Sequence, residues 1–123
     1  MATIKSFTSL EQSKVLSKIL PLESADMIWV LANPDLPMIK TIAYKDSEKS
    51  KYYEILPAWS LASLLDVLPK TINNETLFIE TSPALWHIGY RDVCIARADN
   101  LVDACVEMIE KLHKQMIYDF NNN

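Results

Sequence analysis

The sequence predicts an α+β domain in the order α-β-β-α-β-β-α, with a mostly antiparallel sheet of four or five strands covered by helices. Three observations point there. Apolar residues recur at three- and four-residue intervals from Leu101 to Met116; two pairs of short apolar or alternating runs are each broken by a proline-bearing turn; and half of the residues are apolar against 23% charged. A chain of 123 residues buries about two-thirds of its unfolded surface without metal or disulfide staples. Residues 1–123 are therefore expected to form one domain, with a frayed tail at 121–123.

The first helix opens at Ser9, because Ser9-Leu10-Glu11-Gln12 has the capping-box spacing. It is expected to run to about Leu20, with Val15, Leu16, Ile19 and Leu20 on its apolar face, Ser13 and Lys14 on the other, and Pro21 ending the pattern. Met27 to Ala32 is a dense apolar run around Trp29, and Met38 to Lys45 alternates, with Met38, Ile42 and Tyr44 on one face. Asn33-Pro34-Asp35-Leu36-Pro37 between them cannot continue a central strand, so the two runs read as a hairpin with a longer loop.

Asp46 to Lys51 reads as a surface loop, and Tyr52 to Ile55 as a short edge strand. Leu61, Leu64, Leu65 and Leu68 lie at helical spacing behind a Ser60 cap, and Pro69 stops that helix. Asn73-Asn74 marks a turn. Thr76 to Thr81 and Leu85 to Val93 then form a second hairpin around Ser82-Pro83-Ala84, with Trp86, Ile88 and Tyr90 on one face and His87, Gly89 and Arg91 on the other. The last helix starts at Asn100 or Asp99, buries a stripe of Leu101, Cys105, Met108, Ile109, Leu112 and Met116, and carries Glu107–Lys111 and Glu110–Lys114 pairs outside.

Gly89 is the chain's one glycine. Phosphate-cradling loops need several glycines to bring backbone N–H groups together at positive φ, so Walker-type and dinucleotide loops cannot be built. Inside a strand, Gly89 marks a bulge or a spot where another chain segment comes close.

The net charge of −4 lies wholly in the second half: residues 1–61 balance seven cations against seven acids, and residues 62–123 set five against nine. No basic stripe is present to neutralise phosphates, which makes nucleic acid a poor partner. No run approaches the length of a bilayer span and no signal-like segment follows Met1, so a reducing cytoplasm is the expected compartment, with Cys94 and Cys105 unpaired.

Chemistry-bearing residues are sparse. His87 could act as a base with Arg91 orienting an anion on the same face, but no residue is forced next to it, and a half-exposed strand position is the simpler reading. Cys94, read as lying on the same strand, would be about 23 Å from His87. Cys105 belongs to the buried stripe and His113 to the solvent face of the last helix. The histidines, cysteines and aspartates fit no metal spacing, and no metal or cofactor is expected. Asp99, Asp103, Glu107 and Glu110 would imitate nucleic acid only if they formed one exposed band.

Aromatic residues suggest recognition instead. Trp59 sits at a proline-bearing helix entry shortly after Tyr52-Tyr53, and Trp86 is on a strand beside His87. Burial over the sheet is the simpler place for Trp59; exposed together, Tyr52, Tyr53, Trp59 and the Trp86 face with His87 would anchor a protein partner or a second copy.

Three segments carry a resemblance: Gln12-Ser13-Lys14 through Leu20-Pro21-Leu22-Glu23-Ser24-Ala25-Asp26-Met27; Pro57-Ala58-Trp59-Ser60-Leu61-Ala62-Ser63-Leu64-Leu65; and Ala98-Asp99-Asn100 through Asp103-Ala104-Cys105 to Leu112-His113. In this order they resemble small uncharacterised proteins of gut Bacteroidales genomes and their phages or integrated mobile elements. The final helix is also similar, more loosely, to the last helix of small phage α-β-α sandwich domains. The resemblance implies a bacterial or phage cytoplasmic protein with an accessory role, and it supplies no catalytic residues. Together with the aromatic residues it makes a non-enzymatic protein-binding or regulatory module the leading expectation, ahead of a small enzyme using His87 or an acidic nucleic-acid mimic.

Overall fold

A computed structural model describes residues 5–31, 37–41 and 54–121. In chain order its elements are α1 (Leu10–Leu16), a 3₁₀ turn (Leu22–Ser24), β1 (Met27–Leu31), β2 (Pro37–Thr41), β3 (Glu54–Ala58), α2 (Leu61–Val67), β4 (Thr71–Ile72), β5 (Glu75–Thr81), β6 (Trp86–Tyr90), β7 (Cys94–Ala98) and α3 (Leu101–Lys114). The fold is α+β. Its strands divide between two antiparallel sheets, β2-β1-β3 and β4-β5-β6-β7, where one sheet of four or five strands was expected.

Two turns account for the extra strands. Asn73 and Asn74 both have positive φ, at 51° and 69°, which is the two-residue hairpin geometry that joins β4 to β5. Leu85 to Val93 is not one strand: the chain reverses at Arg91-Asp92-Val93, with Asp92 at φ 63° and Val93 N donating to Tyr90 O at 3.0 Å. That turn holds neither glycine nor proline, and its one compositional mark is Asp92, a residue type that tolerates the left-handed region. β7 follows, and Cys94 pairs with Tyr90 across the hairpin.

In the smaller sheet β1 is central, with Trp29 opposite Ile39 of β2 and Leu56 of β3. The predicted loop at 33–36, Ile42, Tyr44, the loop at 46–51, and Tyr52 and Tyr53 lie outside the described residues. Pro57 falls in β3, which pairs only with β1 among the described strands and so can spare one N–H.

α1 has the full capping box: Gln12 N donates to Ser9 Oγ at 3.1 Å, and Ser9 N to Gln12 Oε1 at 3.0 Å. It ends at Leu16, short of the expected Leu20. Lys18 and Ile19 close tighter i→i−3 bonds to Val15 and Leu16, and Pro21 disfavours helical geometry at Leu20. Its inward face is also turned from the expected one: Val15 is 42% exposed, while Ser13 is fully buried against Thr8, with their hydroxyls 2.8 Å apart. That mutual hydrogen bond removes the cost of burying either group.

α3 packs on β6, β7 and α2, so one core contains Leu64, Ile88, Tyr90, Ala96, Cys105, Met108, Ile109 and Leu112. Asn100 caps α3 by accepting from Asp103 N at 2.8 Å. The two helix starts are tied together: Lys5 Nζ reaches Asp103 Oδ1 at 2.7 Å and Gln12 Oε1 at 2.9 Å, and Gln12 Nε2 donates to the same Asp103 oxygen at 2.7 Å. At the start of α2, Asp26 accepts from Ser60 N at 2.9 Å and from the Ser60 hydroxyl.

These two carboxylates give the fold an acid dependence. Burial alone would raise Asp103, but hydrogen bonds from Lys5, Gln12 and Asn100, with the Lys5 charge, hold it below its ordinary 3.8. Burial is likewise outweighed at Asp26 by Ser60 and Ser63. A folded carboxyl held below its unfolded value contributes stability above that value and loses it as the pH falls through the folded pKa. The urea midpoint should therefore hold in mild acid and drop below about pH 4, less steeply in Asp103→Asn. Equal slopes for variant and wild type would contradict this assignment.

Met116 departs from the predicted stripe. α3 stops at Lys114, Met116 takes φ 56°, and Ile117 N donates to Leu112 O at 2.9 Å while Met116 N donates to His113 O at 3.1 Å. That is the helix stop usually built on glycine, and it leaves Met116 90% exposed. Met116→Gly should stabilise the protein by about 0.5–1 kcal/mol, as the left-handed penalty outweighs the added entropy of the unfolded chain. An unchanged or lower midpoint would show that the methionine side chain makes a compensating contact.

Candidate interaction surface

The structure separates the aromatic residues that the sequence grouped. Trp59 is fully buried, its indole N–H donating to Ser24 Oγ at 2.9 Å, so it is a core residue and offers nothing to a partner. The chain is pinned over the core at that point by the Ser60 cap next to it and by the backbone bond between Trp59 and the sequence-distant Thr8. Trp86 is 36% exposed. Tyr52 and Tyr53 lie outside the described residues.

Trp86 owes its exposure to where α3 stops covering the sheet. Alternation places Leu77, Ile79 and Thr81 of β5, Trp86, Ile88 and Tyr90 of β6, and Cys94, Ala96 and Ala98 of β7 on one face. α3 lies over β6 and β7 and buries Ile88, Tyr90 and Ala96 completely. Beyond it, Trp86 and Ile79 remain open, Ile79 at 40% exposure. They are diagonal neighbours in the β5–β6 register, where Thr81 faces Trp86 and Ile79 faces Ile88, so their side chains form one apolar step.

Among the described residues, the sheet edge beside this step is also open. β4 pairs only with Glu75 and Thr76, and Lys70 O accepts from Leu77 N at 2.9 Å. That bond shows that the odd-numbered residues of β5 direct their backbone groups outward. From Phe78 to Thr81, no strand pairs with β5 on that side among the described residues. The opposite edge is guarded: Lys111 Nζ donates to Ile95 O of β7 at 2.9 Å and pairs with Glu107 at 3.3 Å.

His87 lies on the other face of the sheet from Trp86, opposite Glu80 and Arg97 in the register. Its Nε2 is 2.8 Å from Ser82 O, and Arg97 Nε donates to its Nδ1 at 3.2 Å. A carbonyl only accepts and a guanidinium only donates, so the neutral ring carries its proton on Nε2 and both nitrogens are engaged. Nitrogen chemical shifts of His87 should report that tautomer; the Nδ1–H form would contradict the geometry. Arg91 lies 4.6 Å over the Phe78 ring and 3.8 Å from Glu80, rather than beside His87.

Cys94 and Cys105 are free. Burial pushes the Cys105 thiol up to about 12, and burial raises Cys94 despite the nearby Lys111. Cys94 faces the core side of the sheet and His87 the other, so the two do not meet. Along α3 the acids alternate with cations: Asp103 is held by Lys5, Glu107 by Lys111, and Glu110 by Lys114 at 3.6 Å. Among the described residues no group of three or more His, Cys, Asp or Glu could hold a metal ion, and no helix is long and apolar enough to cross a membrane.

A cleft of about 460 Å³ runs between the 3₁₀ turn, the end of α2 and Phe120, with Glu23, Asp66 and Lys70 at its walls. Tyr118 borders it and a neighbouring hollow of about 280 Å³ that also touches His113, Met116 and Asp119. No family model, no curated protein and no solved structure matches the chain.

Proposed function

We propose that the chain is a non-enzymatic protein-binding or regulatory module that engages its partner through the Trp86–Ile79 end of the four-stranded sheet. One observation carries the reading: two large apolar side chains stand exposed side by side next to a stretch of β5 that is unpaired among the described residues. Tryptophan combines a wide apolar body with one polar handle and dominates many protein interfaces, and an open strand edge offers backbone hydrogen bonds to whatever seats on it. His87 fits this reading as a structural residue, since both ring nitrogens hold the strand and its turn in place.

The resemblance to small proteins of Bacteroidales phages and mobile elements supports an accessory role, and the two free thiols suit a reducing cytoplasm. The test is comparative capture from host lysate with wild-type protein and Ile79→Ser. A specific protein retained by the wild type and at least tenfold depleted on the variant, at equal thermal stability, supports the reading. Equal retention, or none by either, defeats it.

A further inference from the structure

We infer that the edge of β5, unpaired from Phe78 to Thr81 among the described residues, takes an extended segment of a different protein, with a basic residue opposite Glu80 and apolar residues on either side of it. This rests on the interaction reading above and specifies the chemistry of the partner at that surface. Three features lead there.

The first is the direction of the backbone. Lys70 already occupies the outward N–H of Leu77, so by the two-residue period of a strand the outward groups of Ile79 and Thr81 come next along the same edge. β4 cannot extend to cover them: the chain before Lys70 is Pro69, which lacks an N–H and whose carbonyl accepts the Tyr90 hydroxyl, and before that the end of α2. An incoming strand finds two consecutive pairing positions.

The second is side-chain chemistry at those positions. Residues of the incoming strand opposite Ile79 and Thr81 would lie on the Trp86 face and complete the apolar step. The residue between them would lie opposite Glu80, whose side chain is half exposed. Arg91 forms an exposed ion pair with Glu80 at 3.8 Å, too long for a hydrogen bond, so the carboxylate oxygens can still accept from a lysine or arginine.

The third feature argues against a second copy of this chain. Two β5 edges paired antiparallel about Ile79 would bring Thr81 of the partner against Leu77, where Lys70 already sits. Pairing about Glu80 would set two carboxylates directly opposite, which is destabilising. Pairing about Thr81 would place Ile79 against Pro83 of the partner, which has no N–H to give.

The test uses three heptapeptides alternating valine with lysine, threonine or glutamate, titrated into the isotopically labelled full chain. The lysine peptide should shift the amide signals of Ile79 and Thr81, slow their hydrogen exchange, and bind about tenfold more tightly than the glutamate peptide. Glu80→Lys should reverse that order, which separates a contact at Glu80 from general attraction to an acidic protein. The inference fails if no peptide perturbs those amides, if Glu80→Lys leaves the order unchanged, or if the amides become protected with rising protein concentration alone. Because lysate capture through Ile79 could still succeed in any of these cases, failure of the strand-pairing inference is distinguishable from failure of the interaction reading.

Discussion

Trp59→Ala should lower the stability of the folded protein by about 3–5 kcal/mol, a large share of the roughly 5–15 kcal/mol that holds a domain of this size together. Trp59 is fully buried and joins three parts of the chain. Its backbone N–H donates to Thr8 Oγ1 at 3.1 Å, its carbonyl accepts from Thr8 N at 2.9 Å, and its indole N–H reaches Ser24 at 2.9 Å. Truncation keeps the backbone bonds but removes the ring, leaving a void that rigid neighbours fill only in part. Trp59→Phe should cost about 1–2 kcal/mol, since most of the volume stays and one hydrogen bond is lost. Urea unfolding followed by far-ultraviolet circular dichroism checks both. If Trp59→Ala costs less than Trp86→Ala, the placement of the two tryptophans is wrong.

Gly89→Ala is expected to cost about 3 kcal/mol although it adds a single methyl group. Gly89 does not sit at positive φ, so the requirement is space. A Cβ there would lie 2.3 Å from Cys94 O and 2.8 Å from Ile95 Cα. Both are backbone atoms of the adjoining strand and cannot rotate away as the tip of a side chain would. The β6–β7 ladder would have to part around the Gly89–Ile95 pair, under the face on which α3 rests. Hydrogen exchange in β7 should accelerate together with the loss of stability. A variant within about 0.5 kcal/mol of wild type would mean that the two strands are not this close.

Those two residues also show what one-dimensional reasoning can reach. Gly89 was legible as a point of close approach, because a strand position ordinarily gains from a side chain that packs on its neighbours, and a glycine there marks a place without room for one. The Ser9 and Ser60 caps, the Asn73-Asn74 turn and the Glu–Lys pairs of α3 were legible for a simpler reason: each is a contact between residues a few positions apart. Trp59 was readable both as core and as anchor, and only burial distinguishes them. The Trp86–Ile79 step was half visible, since the strand face of Trp86 was predicted but the exposure of Ile79 depends on where a helix some twenty residues away comes to rest.

The amino-acid order by itself determined the α+β class, the helix starts, the outward charges of α3 and the impossibility of a glycine-rich phosphate loop, because these follow from backbone propensities and from spacings that a single helix or strand enforces. Tertiary structure alone decided that the strands split into two sheets, that Arg91-Asp92-Val93 reverses the chain, that Ser13 goes inside while Val15 and Met116 go outside, and that β5 keeps an edge unpaired among the described residues. Each of those outcomes is settled by partners distant in sequence competing for the same surface, and the free energy of such contacts exceeds the few tenths of a kilocalorie by which local preferences differ.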